Sequence, residues 1–158
     1  MVNNNASEKI VVDGLTVPLD TKLTVDFKYS VSGTNKNFQS RPIIINTSTN
    51  EYVGVTIHYE KWGTSSAYSH FEMWKGNNSE TNLSKLGDNV VSFSDNTWYT
   101  LELTVETSTI TAKVYNGSTL VSTLTASNSV LSTTSAIGIL TGYMNSTLYW
   151  KNLKVKPL

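Results

Sequence analysis

Two neighbouring stretches, EYVGVTIHYE (Glu51–Glu60) and SAYSHFEMWK (Ser66–Lys75), decide how this chain is read. Each alternates apolar and polar residues with a period of two. Val53, Val55 and Ile57 form the apolar set of the first, Phe71 and Met73 that of the second. Strand side chains point alternately to opposite faces, so these five belong to a core. The other set holds Thr56, His58 and Glu60, then Tyr68, His70, Glu72 and Trp74. A loop from Trp62 to Ser66 turns the two strands into a hairpin. It sets Ile57 opposite Phe71, Val55 opposite Met73, His58 opposite His70, Glu60 opposite Tyr68 and Gly54 opposite Trp74. A slip of one residue would put the polar set in the core. Both histidines of the chain, two carboxylates, a Tyr and a Trp therefore share the outer face. Leaving an indole in water forgoes roughly 2 kcal/mol or more of burial. That cost points to a ligand.

The surroundings read the same way. KLTVDFKYSV places Leu23, Val25, Phe27, Tyr29 and Val31 on one face, and KIVVDG and RPIIIN are shorter strands, with Pro42 near the start of the latter. NVVSF follows the loop GNNSETNLSKLGD (residues 76–88), the longest irregular segment expected. WYTLELTVE, TITAKVY, STLVSTLTA, SAIGILTG and STLYWKNLKV complete about ten strands separated by turn clusters, the pattern of an all-β, two-sheet antiparallel sandwich of jelly-roll type. Tyr115-Asn116-Gly117-Ser118 is a hairpin turn. Pairing Val114 with Leu120 and Ile110 with Leu124 requires a three-residue loop there, and hence a bulge.

Composition bounds the function. The 158 residues make one domain, large enough for a sizeable core, with residues 1–7 as a linker-like start and 8–158 as the sandwich. Charged residues are 15% and balance to zero, with no block of like charge along the chain. The lysine and arginine clusters that neutralise phosphates are missing from the sequence, which argues against a nucleic-acid partner. No apolar run is long enough to insert in a membrane. Ser, Thr and Asn supply roughly a third of the residues, a surface suited to neutral polar ligands and to extracellular β-proteins. There is no cysteine, and a chain of this size needs none. MVNNNASEK has no apolar run and reads as a linker rather than a signal peptide, so that Met1 looks like the start of an excised module. The sequons at Asn46, Asn116 and Asn145 are of the kind that arise by chance in such a composition.

The last third resembles a concanavalin A-like lectin/glucanase domain, laminin-G-like in pattern. NTWYTLELTVETSTITAKVYNG has a Trp opening a strand, a polar turn, and a second strand ending in Asn-Gly. SAIGILTGYMNSTLYWKNLKV is similar to the closing strands of such modules. The resemblance implies a two-sheet jelly roll, often with a glycan on its concave face, and places Trp98 and Trp150 as packing aromatics. It does not bring the glucanase catalytic motif, Glu-x-Asp-x-x-Glu, which this chain lacks.

Function has to come from the site rather than the fold. A sugar needs an aromatic platform for its C–H face and polar groups for its hydroxyls. Trp74, Tyr68, His70, His58, Glu60 and Glu72 offer both, with Trp62 at the loop tip either a second platform or folded back on the sandwich edge. Against this stands a face covered by a loop or by the N-terminal strand, with Trp74 and Tyr68 as satellite core. Two carboxylates of a retaining glycosidase lie about 5 Å apart. Glu60 and Glu72 are diagonally offset, and Glu102 and Glu106 are about 13 Å apart along a strand. His58 and His70 with Glu60 or Glu72 could hold a transition metal, while Asp13, Asp20, Asp26, Asp88 and Asp95 are too scattered to mark a Ca²⁺ loop. No cofactor is expected, with a structural Ca²⁺ an alternative that no motif supports. The expectation is a non-catalytic carbohydrate-binding module, lectin-like and serving targeting or adhesion, within a larger extracellular, cell-surface or virion protein. Its partners would be a poly- or oligosaccharide and covalently linked neighbouring domains. The alternatives are a spacer or protein-contact sandwich, then a glycoside hydrolase-like enzyme.

Overall fold

The computed structural model describes residues 8–17, 19–31, 36–64, 66–77, 83–131, 135–144 and 146–158. The linker-like residues 1–7 and the sequon at Asn145 lie outside them. The strands are β1 (Glu8–Val17), β2 (Thr21–Val31), β3 (Lys36–Asn46), β4 (Tyr52–Lys61), β5 (Tyr68–Gly76), β6 (Ser84–Val90), β7 (Tyr99–Val105), β8 (Thr109–Asn116), β9 (Thr119–Ser127), β10 (Ser135–Met144) and β11 (Ser146–Pro157). They form two antiparallel sheets, one of six strands ordered β1-β10-β3-β4-β5-β6 and one of five ordered β11-β2-β7-β8-β9. The protein is a β-sandwich, as the alternating pattern requires. Among the described residues no helix is long and apolar enough to cross a membrane.

The core is built from the apolar sets. Leu23, Val25, Phe27 and Tyr29 of β2 and Leu101 and Leu103 of β7 are buried in one cluster with Val53, Val55, Ile57, Phe71 and Met73 of the facing sheet. Ring packing fixes the layer, with Phe27 stacked on Tyr99 at 5.6 Å and Tyr29 on Tyr59 at 5.9 Å. The central hairpin has the expected register at every pair: Ile57–Phe71, Val55–Met73, His58–His70, Glu60–Tyr68 and Gly54–Trp74.

Three expectations need correction. β6 starts at Ser84, inside the expected loop, and ends at Val90, so only part of NVVSF is strand. Its Ser-Lys-Leu-Gly-Asp composition hides it: a hydrogen-bonded edge strand needs no apolar run. Gly87 also admits Leu124 of β9, which would lie 3.2 Å from an added Cβ. Second, the β8–β9 hairpin turns on Gly117 and Ser118 alone, with Asn116 paired to Thr119. Gly117 sits at φ 58°, the positive φ that the first central position of a II′ turn requires. A bulge follows between Val114 and Tyr115, so Ile110 pairs with Ala126 rather than Leu124, and Val114 with Ser122 rather than Leu120. Leu120 is left exposed. Third, Trp98 is not core. Its ring lies beneath two ammonium groups, Lys151 Nζ at 3.9 Å and Lys28 Nζ at 5.3 Å. Trp150 does pack partly buried against the core, tilted on Phe27 at 5.6 Å.

Candidate functional site

Glu72 is the centre of the outer face of β4, β5 and β6. Its residue is 1% exposed although it points away from the core, and Thr56, its cross-strand partner, is equally buried. Burial of a lone carboxylate would be severely unfavourable. Here four donors surround it. Tyr68 Oη donates to Oε1 at 2.7 Å and Lys85 Nζ to the same atom at 2.8 Å. Trp74 Nε1 donates to Oε2 at 2.9 Å, and His58 Nδ1 stands 3.6 Å from it. Burial opposes ionisation, but hydrogen bonds from His58, Lys85, Tyr68 and Trp74 outweigh it and hold the carboxyl well below the usual carboxylate range. The two oxygens have about four lone-pair positions; three are filled by Tyr68, Lys85 and Trp74, and His58 stands close to the fourth.

The neighbours are fixed through that anchor. Tyr68 stacks on His70 at 3.7 Å with 6° between planes, and His58 meets Tyr68 edge-on at 4.7 Å. Burial and the bond to Glu72 push the Tyr68 phenol up. Lys85 Nζ also bonds Asp88 Oδ2 at 3.0 Å and lies 5.1 Å over the Trp74 ring. Burial works against the Lys85 charge, yet Glu72 and Asp88 raise its pKa. Asp88 receives His70 Nδ1 at 2.6 Å. Its burial disfavours the charge, but the bonds from His70 and Lys85 prevail and lower its pKa. Thus the strand pairings Glu72–Asp88 and Trp74–Lys85 bring in two groups that the sequence reading did not place here. The available signal was the Ser84–Val90 segment itself, once recognised as a strand.

All seven expected residues lie on or beside this face. Trp62 is 49% exposed with its Nε1 donating to Glu60, so it stands at the rim instead of folding back. His58 Nε2 is 3.4 Å from Glu60 Oε2, placing the imidazole between the two carboxylates. The N-terminal strand does not cover the face: β1 pairs with β10 at the far edge of the sheet. Part of the same outer face is covered: Ile43, which pairs with Gly54 opposite Trp74, makes a second buried apolar cluster with Ile45 and Tyr52. Trp74, His58 and His70 keep partial exposure, with the two imidazoles at 17% or less.

The two imidazoles do not converge on a common carboxylate. Among the described residues, the group with metal-capable atoms within 4.8 Å of one another is His70, Glu72 and Asp88. Lys85 already places its ammonium between the two carboxylates of that group, which disfavours a second cation. Of the other scattered aspartates, Asp26 accepts from Thr100 and Asn152, and Asp95 from the backbone of Asn96. The sequon at Asn46 is buried, its amide donating to the carbonyl of Val130 at 2.8 Å.

Solved structures with this arrangement of strands are numerous. A carbohydrate-binding module, CBM66 from Bacillus subtilis, superposes with a TM-score of 0.65 at 12% identity, over 98% of this chain and 84% of its own. The lactose- and MES-liganded congerin II gives 0.65 at 11% identity, over 96% of this chain and 100% of its own. A toad ovary galectin in complex with thio-digalactose gives 0.61 at 9% identity, over 97% and 100%. The fold is that of a lectin-like β-sandwich. At such identities the likeness extends to the fold alone. No protein-family model matches the sequence, and no curated protein sequence matches it either.

Proposed function

We propose that the chain is a non-catalytic glycan-binding module whose sugar lies on the β4–β5–β6 face against Trp74, with Trp62 at the rim. The observation that supports it most is the buried Glu72 carboxylate, which holds Trp74, Tyr68 and Lys85 by hydrogen bonds, with His58 beside it, on a partly open face. Ordering these side chains in advance removes part of the entropy cost of binding. Glu72 is then a positioning residue. His58, His70, Glu60, Asp88 and Lys85 present the polar groups that meet hydroxyls, and the Trp74 indole presents a platform for a C–H face.

Hydrolysis fits the geometry poorly. A general acid acting near neutral pH needs a raised pKa, and Glu72 is displaced in the opposite direction. His58 also stands between the two carboxylates, where the scissile bond would have to lie. The charge-poor, hydroxyl- and amide-rich composition supports placement in a larger extracellular, cell-surface or virion protein, for targeting or adhesion.

A glycan array probed with wild type and Trp74→Ala tests the proposal. Binding by wild type that is lost in the variant supports it. A wild type that binds no glycan, together with a large fall in melting temperature on truncating Trp74, would make the face packed structure and the protein a spacer.

A further inference from the structure

The outer face of the five-stranded sheet, on the opposite side of the sandwich, carries a second feature. Strand alternation turns Lys22 and Lys28 of β2, Lys113 of β8 and Lys151 of β11 outward, each next to a core-facing neighbour. Beyond the bulge in β11, Lys154 and Lys156 pair with Thr24 and Lys22, and so face the same way. Six of the chain's 12 basic residues therefore share a face with two of its 12 acidic residues, Asp26 and Glu102. The chain as a whole is neutral, so the positive field here is matched by negative charge elsewhere. No run of sequence shows this, because the lysines come from three strands.

Six lysines against two carboxylates leave this face four positive charges in excess. Among the described residues, Lys22 is the one lysine of the six in an ion pair, 3.5 Å from Glu102. The Asp26 carboxylate is instead taken by Thr100 Oγ1 at 2.8 Å and Asn152 Nδ2 at 2.7 Å. Lys28 and Lys151 are held in place by aromatic rings, Lys28 over Tyr149 at 4.7 Å and both over Trp98. Lysines commonly guard an exposed sheet edge, and β11 is an edge strand. That reason does not reach Lys22, Lys28 and Lys113, which lie on interior strands. Lys156 and Lys22 are paired across strands about 5 Å apart, inside the Debye length of roughly 8 Å at physiological salt, and Lys151 and Lys154 continue the row along β11, while Lys113 lies two strands away from β2.

We infer that this face is a second binding surface, for an acidic polysaccharide carrying carboxylate or sulfate groups. A chain of separated anions asks for spaced ammonium groups. Duplex nucleic acid is read by an element that enters a groove, which a sheet face does not do. Single strands stack their bases on open aromatic rings, whereas here Trp98 is half-buried beneath two ammonium groups and the more exposed Tyr149 has Lys28 Nζ over its ring. Forked phosphate recognition favours arginine, and the one arginine, Arg41, belongs to β3 of the other sheet.

The probes are polygalacturonate, neutral dextran and a random-sequence DNA duplex, each titrated at low and physiological salt against three proteins. These are wild type, Lys151→Gln/Lys154→Gln, and the charge-matched control Lys61→Gln/Lys75→Gln on the other sheet. Wild type should bind polygalacturonate and not dextran, weakening as salt rises. The first double variant should lose about tenfold in affinity, as expected for two lost charge contacts, and the control should lose much less, with all three melting alike. No binding of polygalacturonate at low salt, or equal losses in the two variants, would overturn the inference. Tighter binding of the duplex than of the polyuronate would overturn it in favour of a nucleic-acid partner. Binding on the Glu72 face is read separately, through Trp74→Ala, so either surface can fail without the other.

Discussion

The Lys85 ammonium lies 2.8 Å from Oε1 of Glu72, whose side chain is 2% exposed while that of Lys85 is 32% exposed. A buried carboxylate on the outside of a sheet is thus neutralised by a strand-edge lysine that water still reaches. Replacing Lys85 by Met keeps the stem and removes the charge. It should destabilise the fold by about 2 kcal/mol, less than for a fully buried pair because solvent screens this one. Urea unfolding of the variant checks it, and a loss below measurement error would show that Tyr68, Trp74 and His58 suffice for Glu72.

The same carboxylate should govern acid stability. Its folded pKa lies well below the unfolded value of 4.5, so its contribution is complete above that value. It is lost as pH falls from there towards the folded pKa, because the unfolded chain takes up the proton first. Asp88 is shifted in the same direction and adds to the effect. Melting temperature should therefore fall below about pH 4.5 in wild type, and the fall should be shallower in Glu72→Gln. Parallel curves for the two proteins would refute this assignment.

Trp74 has a ligand role only if its loss hurts binding more than folding. Trp74→Ala should weaken glycan affinity by roughly 2 kcal/mol or more, as for a central aromatic contact. The cost to stability should stay below the roughly 3 to 5 kcal/mol of a fully buried Trp. Isothermal titration and thermal unfolding of one variant give both quantities.

Chemistry provides a further check. Glu60→Gln and Glu72→Gln should change affinity by at most a few kcal/mol. Prolonged incubation of any form with β-glucans should release no reducing ends. Turnover that disappears in either variant would establish an enzyme.

Gly76 pairs with Tyr52 across the sheet, and a Cβ at Gly76 would lie 2.6 Å from Tyr52 Oη. Tyr52 is buried, so the ring has little room to yield. Gly76→Ala should cost about 1 to 3 kcal/mol of stability from overpacking. Thermal denaturation that matches wild type would mean that Tyr52 repacks freely.

Much of the site was legible because the central hairpin is over-determined. Val53, Val55 and Ile57 must face the same layer as Phe71 and Met73, and the loop length allows one register that satisfies both. Tyr68, His58 and His70 follow from that register without further information, whereas Trp62, in the loop after β4, does not. The β8–β9 hairpin was less constrained. Its Ser, Thr and Leu residues fit either of two registers, and the conformation of Gly117 decides between them.

The sequence by itself determined the class of fold and one face of one hairpin, because a period of two and a turn length are local properties. Which strand lies beside β5 is not local. The tertiary structure places β6 there and delivers Lys85 and Asp88, so that Lys85 joins Tyr68 and Trp74 in hydrogen bonds to the buried Glu72 carboxylate. It also gathers lysines from β2, β8 and β11 into one field. Both outcomes depend on pairings between segments far apart in the chain, and packing of the whole sandwich selects those pairings.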